Sequence, residues 1–347
     1  MSIERSTLHH GMKEAGMGAL NTIIHKLGVY FIILLLILIG TILFQNKFFS
    51  PKNFLNIIDS LTTLGIAAIG VAFVTYSGHY ADLSIPTTIA ISGIIAIECL
   101  SFGIGVSILA GISIGIVIGL INAYVVGTLR ANSIIWTLAL AFVTKGLMRW
   151  IWQNKAVHPT LKFAIETHAG ETNVAETFIH LYRMNVWSKI SLPLVTAVIL
   201  AILAQLLLTK TQFGKQLKVT GTSYEVAKMT GISVTKVVGI PFILSSFTAS
   251  IAGIFIASLG KIGAYYQGQG YDFDAVTAVV LGGMTLSGGR GDILGVLGGV
   301  FLLGLLKNIL TLLGVDTFSQ LVMQGITIIV VVAVHTHSLR KLGRDNE

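Results

Sequence analysis

The chain has 347 residues and a formal net charge of +8, yet 54% of it is hydrophobic, only 11% is charged, and mean hydropathy is +0.83. That balance excludes a soluble enzyme, and the +8 does not indicate a nucleic-acid partner, because the lysines and arginines gather at the ends of apolar runs and in one loop. A single cysteine, Cys99, rules out an intrachain disulfide.

In chain order, apolar runs at 27–45, 61–77, 83–102, 103–127, 134–152, 190–209, 239–260, 293–313 and 320–334 are long enough, or nearly so, to cross a ~30 Å hydrocarbon layer as helices. A shorter tenth candidate lies at 275–287. The predicted fold is an all-α polytopic membrane protein of about ten helices. Arg5, Lys13 and Lys26 precede the first run, and Arg340, Lys341 and Arg344 follow the last. Positive charge stays inside, so residues 1–26 and 337–347 are expected as cytoplasmic ends of a transmembrane domain over 27–336. The first run lies too far in and is too long for a cleaved signal.

Even parity places 153–189 on the outer face and the loop 210–238 in the cytoplasm. The loop's 210–236 stretch holds five lysines against one acid, Glu225. It is expected to be a helical docking surface for a soluble partner. The outer segment carries His158, His168, His180, Glu166, Glu171 and Glu176, whose spacing matches no zinc pattern; a solvated amphipathic cap explains it.

Glycines recur at 111, 115 and 119 and again at 295, 298, 299 and 304, the small-residue spacing that lets helix backbones approach in lipid. Asp82 to Gly93 echoes Asp272 to Gly283, an acid and a glycine eleven positions apart. Given the parity, this echo suggests two inverted five-helix halves.

The stretch Tyr76-Ser-Gly-His-Tyr-Ala-Asp-Leu-Ser-Ile-Pro86 interrupts two apolar runs. It reads either as a broken helix of the kind that holds polar solutes or as a plain turn with Asp82 as N-cap. Polar groups against the apolar background, Asp82, Ser84, Asn122, Trp136 and Asp274, are the candidates for lining a substrate pathway; Lys145, Arg149, Glu98 and Lys307 also suit snorkelling at the interface. No Ser–His–Asp or H-E-x-x-H pattern appears. Leu286-Ser287-Gly288-Gly289-Arg290 is similar to the signature loop of ABC-type ATPases, but the chain has no phosphate-cradling Walker sequence, so it is read as a glycine-rich reversal between helices.

Gly270-Tyr-Asp-Phe-Asp-Ala-Val-Thr-Ala-Val-Val-Leu-Gly-Gly-Met-Thr-Leu-Ser-Gly-Gly-Arg-Gly291 and Tyr224-Glu-Val-Ala-Lys-Met-Thr-Gly-Ile232 carry a resemblance to the permease subunits of bacterial ABC importers for simple sugars, over about residues 49–339. The resemblance implies a transport subunit without its own ATPase activity. It binds no cofactor itself, while ATP and magnesium sit on partner ATPase subunits. A second permease subunit, identical or related, and an external sugar-binding protein complete the assembly, within membrane lipid and with no nucleic acid. It assigns Glu225, Ala227, Lys228 and Gly231 to the ATPase contact. The first half departs from the family's pattern: Pro86 stands near a usual glycine, and Trp136 follows a segment lacking the usual proline. The sugar therefore stays open. The rival reading is an ion-coupled secondary carrier using Asp82 or Asp274.

Overall fold

The computed structural model describes residues 30–159, 172–187, 190–316, 319–323, 325, 326 and 329. The segments 1–26 and 337–347, most of the run 320–334, and Glu166, His168 and Glu171 lie outside the described residues. Eight described helices are long and apolar enough to cross a membrane. They are α1 (Tyr30–Lys47), α2 (Pro51–Tyr76), α3 (Ile85–Glu98, prolonged by a tight turn Cys99–Phe102), α4 (Ile104–Asn122, prolonged by a wide turn Ala123–Thr128), α5 (Ser133–Ile151), α7 (Leu192–Lys210), α10 (Val234–Gly260) and α12 (Ile293–Leu312). Shorter pieces are α6 (Thr172–Leu181), α8 (Gln212–Thr222), α9 (Tyr224–Met229) and α11 (Tyr271–Leu281). A two-strand ribbon, β1 (Asn185–Trp187) with β2 (Ile190–Ser191), is the one non-helical pairing of strands among the described residues.

Start signals in the sequence set the long helices. Ser50 accepts a hydrogen bond from the Asn53 amide with Pro51 at the first helical position, and Asn132 caps α5 by accepting from Ile134 and Ile135. Helices α2 and α10 form the centre. Every α2 residue from Thr62 to Tyr76 is buried, as expected of a helix apolar all round. The two run antiparallel. Val74 near the end of α2 shares a cluster with Val234 and Val238 at the start of α10, while Tyr182 joins the early part of α2, at the Asp59 carbonyl, to Ser258 late in α10. Gly70 permits the crossing, since a Cβ there would lie 2.6 Å from the Ser245 Cα. Burial, reinforced by the Asp59 carboxylate, holds the Tyr182 phenol above its usual pKa.

The expected internal repeat is visible in the order of elements. Helix α2 leads through 77–84 into the short α3 and then α4; helix α10 leads through 261–270 into the short α11 and then α12. Each long helix packs against the other half's pair, α10 on α3 and α4, and α2 on α11 and α12. Because α2 and α10 are antiparallel, the two units are inverted. The glycine stripe of α4 makes this packing possible: a Cβ at Gly111 would lie 2.9 Å from the Ser92 carbonyl oxygen, and one at Gly119 2.8 Å from the Ile243 Cα. A reciprocal amide pair, Asn53 with Asn308, joins α2 to α12 at 2.7 and 3.1 Å.

The tenth candidate run is helical over Tyr271–Leu281, displaced from the expected 275–287. Eleven residues rise only ~16 Å, half a hydrocarbon core. The chain covers the remaining depth without helix. Gly263 exchanges backbone hydrogen bonds with Val157 and lies against Ile94 and Ile97, and Gly268 has descended alongside α3 to Ile89 and the Pro86 carbonyl. Eight long helices, this composite crossing and the partly described run from 319 are what the described residues contain of the expected ten.

Candidate functional site at two helix breaks

The first break, 77–84, is held by a directed chain of side-chain hydrogen bonds. Trp136 carries only a donor, so the 3.0 Å contact of its Nε1 with Asn122 fixes the asparagine oxygen as acceptor. The Asn122 amide nitrogen then donates to Ser84 Oγ at 2.9 Å, and the serine hydrogen goes to Asp82 Oδ1 at 2.5 Å. The Ser84 amide donates to the same carboxylate oxygen at 3.0 Å, and Ser245 Oγ of α10 donates to Oδ2 at 2.9 Å. Beside this chain, Thr137 Oγ1 accepts from the Leu83 amide at 2.9 Å. A non-helical segment inside lipid must satisfy its freed polar groups from protein, and this network does so for the Leu83 and Ser84 amides and the Asp82 carboxylate. Of the two sequence readings, the structure shows the broken helix: Asp82 caps no helix and lies fully buried at the level of Ser245, midway along α10.

The second break, 261–270, is built differently. Its turns are made by left-handed residues, Lys261 (54°), Gly268 (83°) and Gly270 (89°), by backbone hydrogen bonds and by Gln267 Oε1, which accepts from the Ala264 amide at 3.0 Å. Tyr265 and Tyr266 meet edge to face at 5.4 Å, and the Arg149 guanidinium sits 5.3 Å from the Tyr265 ring centre. The two breaks come together where Gly268 touches Pro86. A cavity of about 600 Å³ opens there. Thr87, Lys145, Gln267, Gln269 and Asp272 supply its polar wall, and Phe142, Tyr265, Tyr266 and Phe273 its aromatic one. Leu83, Pro86, Leu138, Leu321 and Ile329 make most of the remaining wall apolar, with these polar groups set into it, the pattern of small-molecule sites.

Of the sequence candidates, Asp82, Ser84, Asn122 and Trp136 are brought into one network, with Leu83 and Pro86 between that network and the cavity. Asp274 stands apart, buried in α11 and ion-paired with Lys307 of α12. The cavity wall instead carries Asp272, the acid of the internal echo, and the Tyr265–Gln269 stretch, which the sequence reading did not single out. Their signal was present in Gly260-Lys-Ile-Gly-Ala-Tyr-Tyr-Gln-Gly-Gln-Gly270, which interrupts two apolar runs as 76–86 does.

The lysine-bearing segment folds as α8, α9 and a glycine stop. Ser223 caps α9 at the Val226 amide. At the other end the Ile232 amide bonds to the Ala227 carbonyl and the Gly231 amide to that of Lys228, with Gly231 at φ 75°, a Schellman stop. Ala227 is fully buried against Val74, Val126 and Phe242, so it seats the helix on the bundle. Glu225, Val226 (50% exposed), Lys228 and Met229 (84% exposed) face outward. Two further loops meet this segment through backbone contacts. Gly289 donates to the Tyr76 carbonyl at 2.9 Å, a Cβ on Gly221 would collide with that same oxygen, and one on Gly288 would lie 2.6 Å from the Gly78 nitrogen. The 286–291 motif is thus a glycine-rich reversal between α11 and α12, tied to the end of α2.

A bundle of apolar helices broken at mid-depth around a polar and aromatic cavity defines a membrane permease. The chain belongs to the family described as branched-chain amino acid transport system / permease component, which it matches over residues 53–332. It is 32% identical to the ribose import permease protein RbsC of Bacillus subtilis over 312 residues, 89% of this chain and 92% of that one. It is 31% identical to the L-arabinose transport system permease protein AraH of Escherichia coli over 303 residues, 87% and 88% of the two chains. The Escherichia coli ribose import permease protein RbsC is 28% identical over 312 residues, covering 87% and 92%. No solved structure matches the chain at a significant level.

Proposed function

We propose that this chain is the permease subunit of an ATP-driven importer and translocates a simple sugar or sugar-like polar solute. The cavity at the meeting of the two breaks carries the reading. Aromatic faces suit the apolar side of a pyranose or furanose ring, and the amides, carboxylate and ammonium around them suit its hydroxyls. The relatives named for ribose and arabinose support a sugar over other solutes. Thr87, Lys145, Gln267, Gln269 and Asp272 contact the solute, while Asp82, Ser84, Asn122 and Trp136 hold the wall in place and Asp274 fixes the depth of α11 through Lys307.

The face bearing Lys210, Lys215, Lys218, Lys228 and Lys236 is cytoplasmic by the positive-inside rule, which leaves both termini inside, 210–238 as the coupling loop and 153–189 outside. Glu225, Val226, Lys228 and Met229 present a mixed apolar and charged patch to an ATPase subunit, which supplies the ATP and magnesium. A second permease subunit flanks the path, and a binding protein delivers the sugar from outside. ATP binding drives alternation by favouring one packing of the bundle over the other.

The test is uptake of radiolabelled pentoses by proteoliposomes containing the chain with its ATPase and binding protein. Accumulation that requires ATP is expected. Accumulation by the chain alone under a proton or sodium gradient would instead establish the ion-coupled carrier.

A further inference from the structure

We infer that the Trp136–Asn122–Ser84–Asp82 chain, with Thr137 beside it, positions the first helix break according to the state of α9, and so couples the ATPase dock to the cavity wall. The inference rests on the importer reading above. One end of the chain is fixed at the dock: the Trp136 ring packs on the cluster that buries Ala227, together with Tyr224 and Ile232. The Arg130 guanidinium, in the turn that leads into α5, stacks 5.4 Å from the Tyr224 ring centre. The other end is fixed at the break, where Asp82 also receives Ser245 from α10 and the Leu83 amide is held by Thr137. Leu83 and Pro86 next to the network, and Leu138, Ala141 and Phe142 one turn or more along α5, form one side of the cavity. Helix α5 therefore touches the dock at its start and the cavity further on, and the network ties it to the break between them.

Each hydrogen bond in the chain also dictates the next one's direction, beginning from the indole N–H. Moving Trp136 with the dock leaves Asn122 without its donor or pulls it from Ser84. A displacement of α9 is thereby converted into a choice between a braced and a released break, which is a two-state element that ATP can bias. Trp136, Asn122 and Thr137 are positioning residues in this scheme and touch no solute.

The experiment compares sugar transported per ATP hydrolysed in the reconstituted importer, for wild type, Trp136→Phe, Asn122→Ala and the double variant. The phenylalanine keeps an aromatic ring on the cluster and removes the donor together with three heavy atoms of the indole. A fall of about tenfold in the ratio is expected for each single variant, within the usual span of coupling between sites, with no further fall in the double because both interrupt one chain. An unchanged ratio, or equal losses of uptake and hydrolysis from general damage, would overturn the inference, as would additive losses. If a Trp136 or Asn122 variant fails to assemble, Thr137→Val, which removes only the hydroxyl that accepts from Leu83, gives the same reading. Absence of ATP-dependent uptake by the wild type would refute the importer reading itself, a separate outcome.

Discussion

The two breaks occupy corresponding places in the inverted halves, yet one is held by side chains reaching it from other helices and the other by its own backbone and Gln267. Residues 77–84 pass behind the wall, with the Asp82 and Ser84 side chains turned into the protein toward Ser245 and Asn122 and the Leu83 amide toward Thr137. Residues 261–270 form the wall, with glycines making the turns and Gln267 Oε1 accepting from the Ala264 amide, and Tyr265, Tyr266, Gln267 and Gln269 line the cavity. The echo of Asp82 and Asp272 hides the same division: the first is buried in the brace, and the second stands in the cavity wall at the first turn of α11. Inverted repeats thus need not share labour. One half braces and the other half lines.

Substitutions that respect or violate this division have different expected costs. The largest effect is expected from Gly268→Val, where a positive φ of 83° is combined with a Cβ position 2.8 Å from the Ile89 Cβ and from the Pro86 carbonyl oxygen. Backbone strain and overpacking together should cost roughly 4 kcal/mol, read as a lowered Tm of the purified protein in detergent. Asp82→Ala should follow at about 3 kcal/mol, because it strands the Ser84 and Ser245 hydroxyls in the interior, while Asp82→Asn keeps one acceptor oxygen and should recover part of that loss.

Trp136→Phe should cost about 2 kcal/mol of stability, since one donor is lost and the smaller phenyl fills less of the indole's place. Smallest in stability is Gln269→Ala, an exposed side chain on the cavity wall, with Tm expected to stay within the equivalent of about 0.5 kcal/mol. Its effect belongs to transport: the apparent KM for the sugar should rise about fivefold if one hydrogen bond to a hydroxyl is lost. A large Tm loss at Gln269 with unchanged KM would erase the distinction between brace and wall.

Much of this architecture was legible in the sequence, because lipid imposes a length and an apolar content on every helix that crosses it. The long runs, the stripe of Gly111, Gly115 and Gly119, and the interruption at 76–86 could all be read from order alone, although a broken helix and a plain turn fit that interruption equally well. What could not be read were the partners. Trp136 and Asn122 stand 14 residues apart and Asp82 and Ser245 stand 163 apart, and no local pattern says that these groups meet. Polarity in an apolar run therefore pointed to a pathway, whereas the fold brings those groups together behind its wall. The stretch 261–270 hides for the opposite reason, since amides, tyrosines and glycines at the end of a helix look like any surface loop until Gly268 is found against Ile89. Ala227 shows a similar limit: a small residue in an exposed segment suits either a partner or the bundle, and only the packing against Phe242 and Val74 shows which neighbours it has.

The most direct measurement places a cysteine at Gln269, in a Cys99→Ser background, and follows its reaction with a membrane-impermeant thiol reagent in the assembled importer. Reaction from one side of the membrane without ATP, lost or transferred to the other side when ATP is bound and slowed by the transported sugar, is the result expected of a solute path at the meeting of the breaks. A thiol that stays unreactive in every state, or reacts equally in all of them with sugar making no difference, would contradict it.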